Sequence, residues 1–330
     1  MKEKSPENFV REFLFKDSHI QQDDGSIKAT LLMDEHKEGW MGIPHGGIGM
    51  GALMELIGGL NNYPKEEGTL YPLSAEFRMG GSSVKVGDTL DIKVSANDGG
   101  AQGVIENGDE TFPYISATVV YGQDNPQRKE FFGSCLTENF SDIEPNLFAL
   151  PYYKNCFVCG VDRVYPGLKR RFYLVNDQAE EKHRVVTLVG FDEADQAAFD
   201  FFQQNGSIHP IVPLAVLDET MGWAGFLSSA SGAVTVLIGY TFYRPVKAGE
   251  KLVFVGRTER VRGRARARVM FWASGGLAAV DEKGRLDMVV AAQGQWMGVA
   301  ELTDQMHREL IPPGLVGRAL EISRAAKTVK

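Results

Sequence analysis

Residues 43–59 read IPHGGIGMGALMELIGG, and residues 208–225 read IHPIVPLAVLDETMGWAG. Setting His45 on His209 places Glu55 on Glu219 and Gly58 on Gly222 without a gap. Farther on, Val84-Lys85-Val86-Gly87-Asp88-Thr89-Leu90 matches Val246-Lys247-Ala248-Gly249-Glu250-Lys251-Leu252. Similarity that recurs in the same order means that one structural unit is present twice.

Around these anchors the pattern is strand-like. Residues 73–78 and 234–243 precede the second matching segment in each half, and alternating stretches at 113–121 and 286–297 read as later strands. Each half is therefore strand, apolar helix, then antiparallel strands joined by glycine-rich turns. That order is α+β and not the alternating βαβ of a doubly wound sheet. A chain of 330 residues fits two domains. The polar segment 122–150 lacks sustained periodicity. The division expected is a first unit at 1–122, a linker at 123–150, a second unit at 151–300 and a tail at 301–330. The tail has a Pro-Pro break followed by a basic, helical end.

Each apolar helix holds an acid. From Ile48 to Leu60 every residue is apolar or glycine except Met-flanked Glu55, and between Pro210 and Leu227 the only ionisable residues are the neighbours Asp218 and Glu219. A helix apolar on all faces is buried. A lone buried carboxylate costs several kcal/mol unless it is paired, hydrogen-bonded or protonated. Two readings stand: the acids do chemistry, or they bind neighbouring arginines or backbone amides. The glycines Gly47, Gly49, Gly51, Gly58 and Gly59 each cost on the order of 1 kcal/mol relative to alanine inside a helix. They fit places where a backbone or a ligand approaches closely.

Composition narrows the classes. Hydrophobic residues at 43% and charged residues at 24% suit a globular protein with a sizeable core. A net charge of −8 argues against a nucleic-acid partner. The first residues lack the apolar centre of a signal peptide, and no apolar run reaches the ~20 residues of a membrane span. Three cysteines are too few for a disulfide framework, so a cytoplasmic setting with no membrane partner is expected.

The family resemblance rests on particular residues. His45-Gly46-Gly47, followed by an apolar helix with an acid near its middle, resembles the hotdog acyl-CoA thioesterases of the phenylacetate-pathway type. The second half looks like a related hotdog group through Cys156-Phe157-Val158-Cys159-Gly160, Pro166-Gly167-Leu168 and Leu217-Asp218-Glu219. The resemblance implies a double hotdog, two curved antiparallel sheets each wrapped around a central helix. It further implies that the units pair with sheets joined and helices side by side. In that family the helix start polarises the thioester carbonyl, and an acid of the partner helix serves as base or nucleophile. Here both partners would lie in one chain.

Carried over residue by residue, the match is asymmetric. The family's acid falls nine residues after the histidine, at Asp218 in the second half and Met54 in the first, where Glu55 follows. The glycine pair is Gly46-Gly47 in the first half and Pro210-Ile211 in the second. Pro210 has no N–H to donate. One complete site is expected, His45, Gly46 and Gly47 facing Asp218 with Glu219 nearby. His209 and Ile211 facing Glu55 would be its degenerate twin.

Two further motifs carry expectations. Arg260, Arg262, Arg264, Arg266 and Arg268 alternate through RVRGRARAR, which on one strand sets all five on one face. Such a row, Arg260, Arg262 and Arg264 above all, suits the phosphates of coenzyme A, or else a solvated outer face. Cys156 and Cys159 form a CxxC whose only companion cysteine is Cys135, short of four zinc ligands, so no metal and a structural role are expected.

The function implied is hydrolysis of an acyl-CoA thioester, with coenzyme A as part of the substrate and no separate cofactor. A non-catalytic acyl-CoA binder and an enoyl-CoA hydratase or dehydratase are the alternatives. A homo-oligomer is left open.

Overall fold

The computed structural model describes residues 9–16, 18–23, 25–81, 83–108, 110–135, 140, 147–164, 166–175, 183–191, 198–264 and 267–310. The basic end expected after the Pro-Pro break lies outside them. Among the described residues no helix is long and apolar enough to cross a membrane.

The first half opens with helix α1 (Phe9–Phe15) and strands β1 (Gln21–Asp23) and β2 (Ser26–Leu32). Helix α2 (Gly46–Gly58) follows, then β3 (Leu73–Met79), β4 (Thr89–Asn97), β5 (Gly100–Glu106) and β6 (Ile115–Val120). After α3 (Pro126–Cys135) come β7 (Leu147–Ala149), β8 (Phe172–Val175) and β9 (Arg184–Val189). Helix α4 (Ile211–Ser229) leads to β10 (Ala233–Phe242), β11 (Leu252–Arg264), β12 (Ala267–Val280), β13 (Leu286–Gly298) and helix α5 (Ala300–Glu309).

The architecture is α+β, with the repeat legible in the sheet. Its order is β1-β2-β4-β5-β6-β3-β10-β13-β12-β11-β9-β8-β7, antiparallel throughout. Read outward from the centre, β3-β6-β5-β4-β2 in one half corresponds to β10-β13-β12-β11-β9 in the other. The two sheets expected are thus one sheet of 13 strands. The seam pairs Leu73 with Phe242, Ala75 with Tyr240 and Arg78 with Leu237. Physically, β3 and β10 would each be an open edge in an isolated half, and pairing them satisfies both rows of backbone groups.

The two apolar helices pack side by side against this sheet. Ile48, Met50, Leu53 and Ile57 of α2, and Leu214, Leu217, Met221 and Ala224 of α4, are fully buried. Glycine makes the contact close. A Cβ on Gly47 would stand 2.3 Å from the Ala215 Cβ, and one on Gly51 2.5 Å from the Ile211 side chain. Gly49 answers to the sheet, where Ile115 leaves no room for a methyl group. Gly58 has nothing within 4 Å.

The stretch read as a linker contains α3. Its anchor is polar, which apolar periodicity does not register: buried Arg128 donates to the Tyr240 carbonyl at 2.8 Å and fills the space over Gly239.

Candidate active site

Each central helix begins with the same histidine device. The Nδ1 of His45 accepts from the Gly47 N–H at 3.0 Å, and that of His209 accepts from the Ile211 N–H at 3.1 Å. An acceptor at Nδ1 of a neutral imidazole leaves the proton on Nε2. That proton points across the dyad. His45 Nε2 lies 3.3 Å from Oε2 of Glu219, and His209 Nε2 lies 3.2 Å from Oε2 of Glu55. The helix start of each half is therefore pinned to the middle of the other half's helix. This accounts for Glu55 and Glu219 in apolar helices, with histidines taking the place expected of arginines or amides.

Asp218 has no such twin, because its counterpart is Met54. It is buried, and Oδ1 accepts from the Thr235 hydroxyl at 2.7 Å. Burial pushes its pKa above the ordinary aspartate value. His45 and hydrogen bonds from Thr235 and Trp296 pull it back in part, and neighbouring Glu219 adds to the rise.

Asp218 borders a cavity of about 320 Å³. Trp40, His45, Gly46, Met79 and Tyr114 of the first half line it opposite Trp223, Phe226 and Trp296 of the second. A Cβ on Gly46 would stand 3.5 Å from Asp218 Oδ2, so the helix start and the acid face each other closely. The Gly47 N–H is taken by His45, and the Ile48 N–H by the His45 carbonyl at 2.9 Å. The Gly46 N–H has no acceptor among the described residues. At the corresponding place α4 has Pro210, and neither Glu55 nor His209 borders this cavity.

The residues expected at the complete site, His45, Gly46, Asp218 and Glu219, are thus brought together, with Gly47 one residue deeper against Ala215. Tyr114, Thr235 and Trp296 were not anticipated. They come from strands and loops far apart in sequence, and only the sheet register assembles them.

The arginine run is not brought to the cavity. It crosses from β11 to β12, which pair Arg264 with Ala267, so the five arginines do not share one strand. Val261 is opposite Phe271, which is opposite Trp296 on the helix side of the sheet. Alternation sends Arg260 and Arg262 to the other side, where Arg260 stacks 3.9 Å over Trp272. The side chains of Arg264, Arg266 and Arg268 lie outside the described residues.

The CxxC sits in a turn well before β8 and touches the site. Cys156 Sγ donates to Glu219 Oε2 at 3.2 Å. The same loop holds the first half, where the Phe157 N–H donates to the Glu38 carbonyl at 2.7 Å. Burial pushes both thiols above their ordinary pKa.

No family model and no curated protein matches the chain. Solved structures do resemble it. An N-terminal dehydratase from the difficidin assembly line superposes with a TM-score of 0.50 at 12% identity, covering 91% of this chain and 98% of that one. The acyl-CoA thioesterase II TesB2 from Mycobacterium marinum gives 0.42 at 10% identity, over 89% and 98%. A hot dog fold protein of unknown function from Alicyclobacillus acidocaldarius gives 0.42 at 14%, over 85% and 96%. The repeated strand order, the paired buried helices and the first of these likenesses identify the chain as a protein of the hotdog fold.

Proposed function

We propose that the chain is a double hotdog acyl-CoA thioesterase with one working site, composed of the start of α2 and Asp218 of α4. The observation that supports this most is the buried Asp218 carboxylate facing Gly46 across an aromatic cavity. In the reaction, a water molecule adds to the thioester carbonyl while Asp218 takes its proton. The Gly46 N–H and the positive end of α2 stabilise the oxyanion. Collapse of the intermediate breaks the C–S bond, and the proton on Asp218 passes to the departing thiolate. His45 orients the helix start and takes no proton, since Nδ1 faces the Gly47 amide and Nε2 faces Glu219.

The same occupancy of His45 weighs against a dehydratase, which would need that imidazole free for the substrate. Glu55 and His209 form a pair outside the working site. The acyl part of the substrate is expected among Trp40, Trp223, Phe226 and Trp296.

The test is release of free thiol from short, medium, aromatic and long acyl-CoAs, with Asp218→Asn in parallel. The variant is expected to lower kcat by about 10²–10⁴ while keeping its far-ultraviolet circular dichroism. Thermal stabilisation by an acyl-CoA without any thiol release would move the assignment to a binding protein. Full activity in Asp218→Asn would remove Asp218 from the chemistry.

A further inference from the structure

We propose that Cys156, Cys159, Glu219 and His45 bind a divalent transition-metal ion of the zinc class, tying the two halves together beside the Asp218 cavity. Asp218 is not one of the donors, so metal binding is testable apart from thioester hydrolysis, although His45 and Glu219 are shared with the proposed working site.

The geometry carries it. Nε2 of His45, Sγ of Cys156 and Oε2 of Glu219 all lie within 4.8 Å of one another. The nitrogen–oxygen separation is 3.3 Å and the sulfur–oxygen separation 3.2 Å. Tetrahedral zinc with bonds of about 2.0–2.3 Å sets its donors roughly 3.2–3.8 Å apart. Two edges of the site therefore already have ligand length. Cys159, three residues on in the same turn, is the fourth donor of the proposed site; its thiol is not within 4.8 Å of all three of these atoms and must turn toward them to bind.

Backbone amides point at both sulfurs, although burial favours the neutral thiols. Cys156 Sγ accepts from the Val158 and Cys159 amides at 3.3 and 3.4 Å, and Cys159 Sγ accepts from the Tyr153 amide at 3.4 Å. Amide donors favour the charged sulfur. Gly160 keeps the turn tight, since a Cβ there would stand 2.5 Å from the Cys156 carbonyl oxygen. Charge also balances. Two thiolates, a carboxylate and a neutral imidazole around a divalent ion leave one net negative charge. The buried Arg163 guanidinium acts on both cysteines, and its Nε has no hydrogen-bond partner.

Each thiol releases one proton to solvent as its sulfur binds the ion. The imidazole proton moves from Nε2 to Nδ1, so the bond from the Gly47 N–H to Nδ1 is given up. The metal–nitrogen bond then holds the histidine in place of that cap.

The test uses the whole chain, stripped of metal under reducing conditions and titrated with cobalt(II). The expected result is a thiolate-to-cobalt charge-transfer band with the visible bands of tetrahedral cobalt, saturating at one ion per chain and displaced by one zinc. Cys159→Ser should lower the charge-transfer intensity about twofold, and the Cys156→Ser/Cys159→Ser double variant should abolish it. Cys135→Ser should leave it unchanged. If the serine variants do not fold, X-ray absorption of the zinc-loaded wild-type chain decides, with two sulfur and two nitrogen or oxygen neighbours expected. Absence of the cobalt bands, their persistence in the folded double variant, or a shell of oxygens alone would overturn the proposal.

Discussion

Burial raises the pKa of Asp218 because Thr235, Trp296 and His45 replace only part of the hydration that its carboxylate gives up. The folded-state pKa stands above the ordinary value of 3.8, so the protonated acid favours the folded chain. That contribution is fully present below about pH 3.8 and is lost as pH rises through the folded pKa. At neutral pH the ionised group opposes folding. Asp218→Asn, which removes the charge but keeps an acceptor for Thr235, is therefore expected to melt above the wild type at neutral pH. The gap is roughly 2–4 °C per kcal/mol for a chain of this size, and it should close as the pH falls toward 3.8. Thermal melts of both proteins across pH check this. The activity profile should have an acid limb above the ordinary carboxylate range, since only ionised Asp218 accepts a proton. Glu55 predicts the opposite separation. Glu55→Leu leaves the His209 Nε2 proton buried without its acceptor, a cost of about 1–3 kcal/mol. A lower urea midpoint at unchanged slope, with kcat kept within a few-fold, is the expected result. Loss of activity there would place the working site in the other dyad.

The helices translate glycine into proximity. Gly47→Ala would drive a methyl group into the Ala215 backbone, where no side-chain rotation gives relief, so overpacking of about 1–3 kcal/mol or more is expected. Gly58→Ala meets nothing within 4 Å in the same helix and should add about 0.5–1 kcal/mol. Chemical denaturation of the two single variants separates these signs. The pair also shows what the sequence disclosed. The glycines announced a close approach, but Gly47 meets a helix, Gly49 a strand and Gly58 neither, and that depends on the fold. The apolar helices with a central acid were legible because burial of a carboxylate is costly wherever it occurs. Their crossed pairing with His45 and His209 was legible only as far as the repeat placed the histidines before the helices. The arginine run misled because alternation is blind to a turn: RVRGRARAR reads as one strand and folds as the meeting of two. The CxxC was judged by counting cysteines, whereas its companions His45 and Glu219 come from 111 and 60 residues away in each direction and meet it only in space.

At the scale of the molecule, the two halves meet at a continuous sheet and at the paired helices. The β3–β10 seam runs from Leu73 to Arg78 against Leu237 to Phe242, with the Ser74 and Thr241 hydroxyls 3.2 Å apart. Beneath it α2 and α4 touch at Gly47 and Gly51, and the two histidine–glutamate pairs cross between them. Separating the halves would open two sheet edges and strip two glutamates and two histidines of their partners. Partial unfolding of one half therefore strips the other of the same contacts, and the chain is expected to unfold as a single unit despite its internal repeat. Calorimetry distinguishes the cases by enthalpy. At about 0.7 kcal/mol per residue near 60 °C, one cooperative unit of this length has a van't Hoff enthalpy of ~200 kcal/mol, whereas a half unfolding alone has ~100 kcal/mol. A single transition whose van't Hoff and calorimetric enthalpies agree is expected. Two transitions, or one whose van't Hoff enthalpy is half the calorimetric value, would mean that the seam joins units that are stable without it.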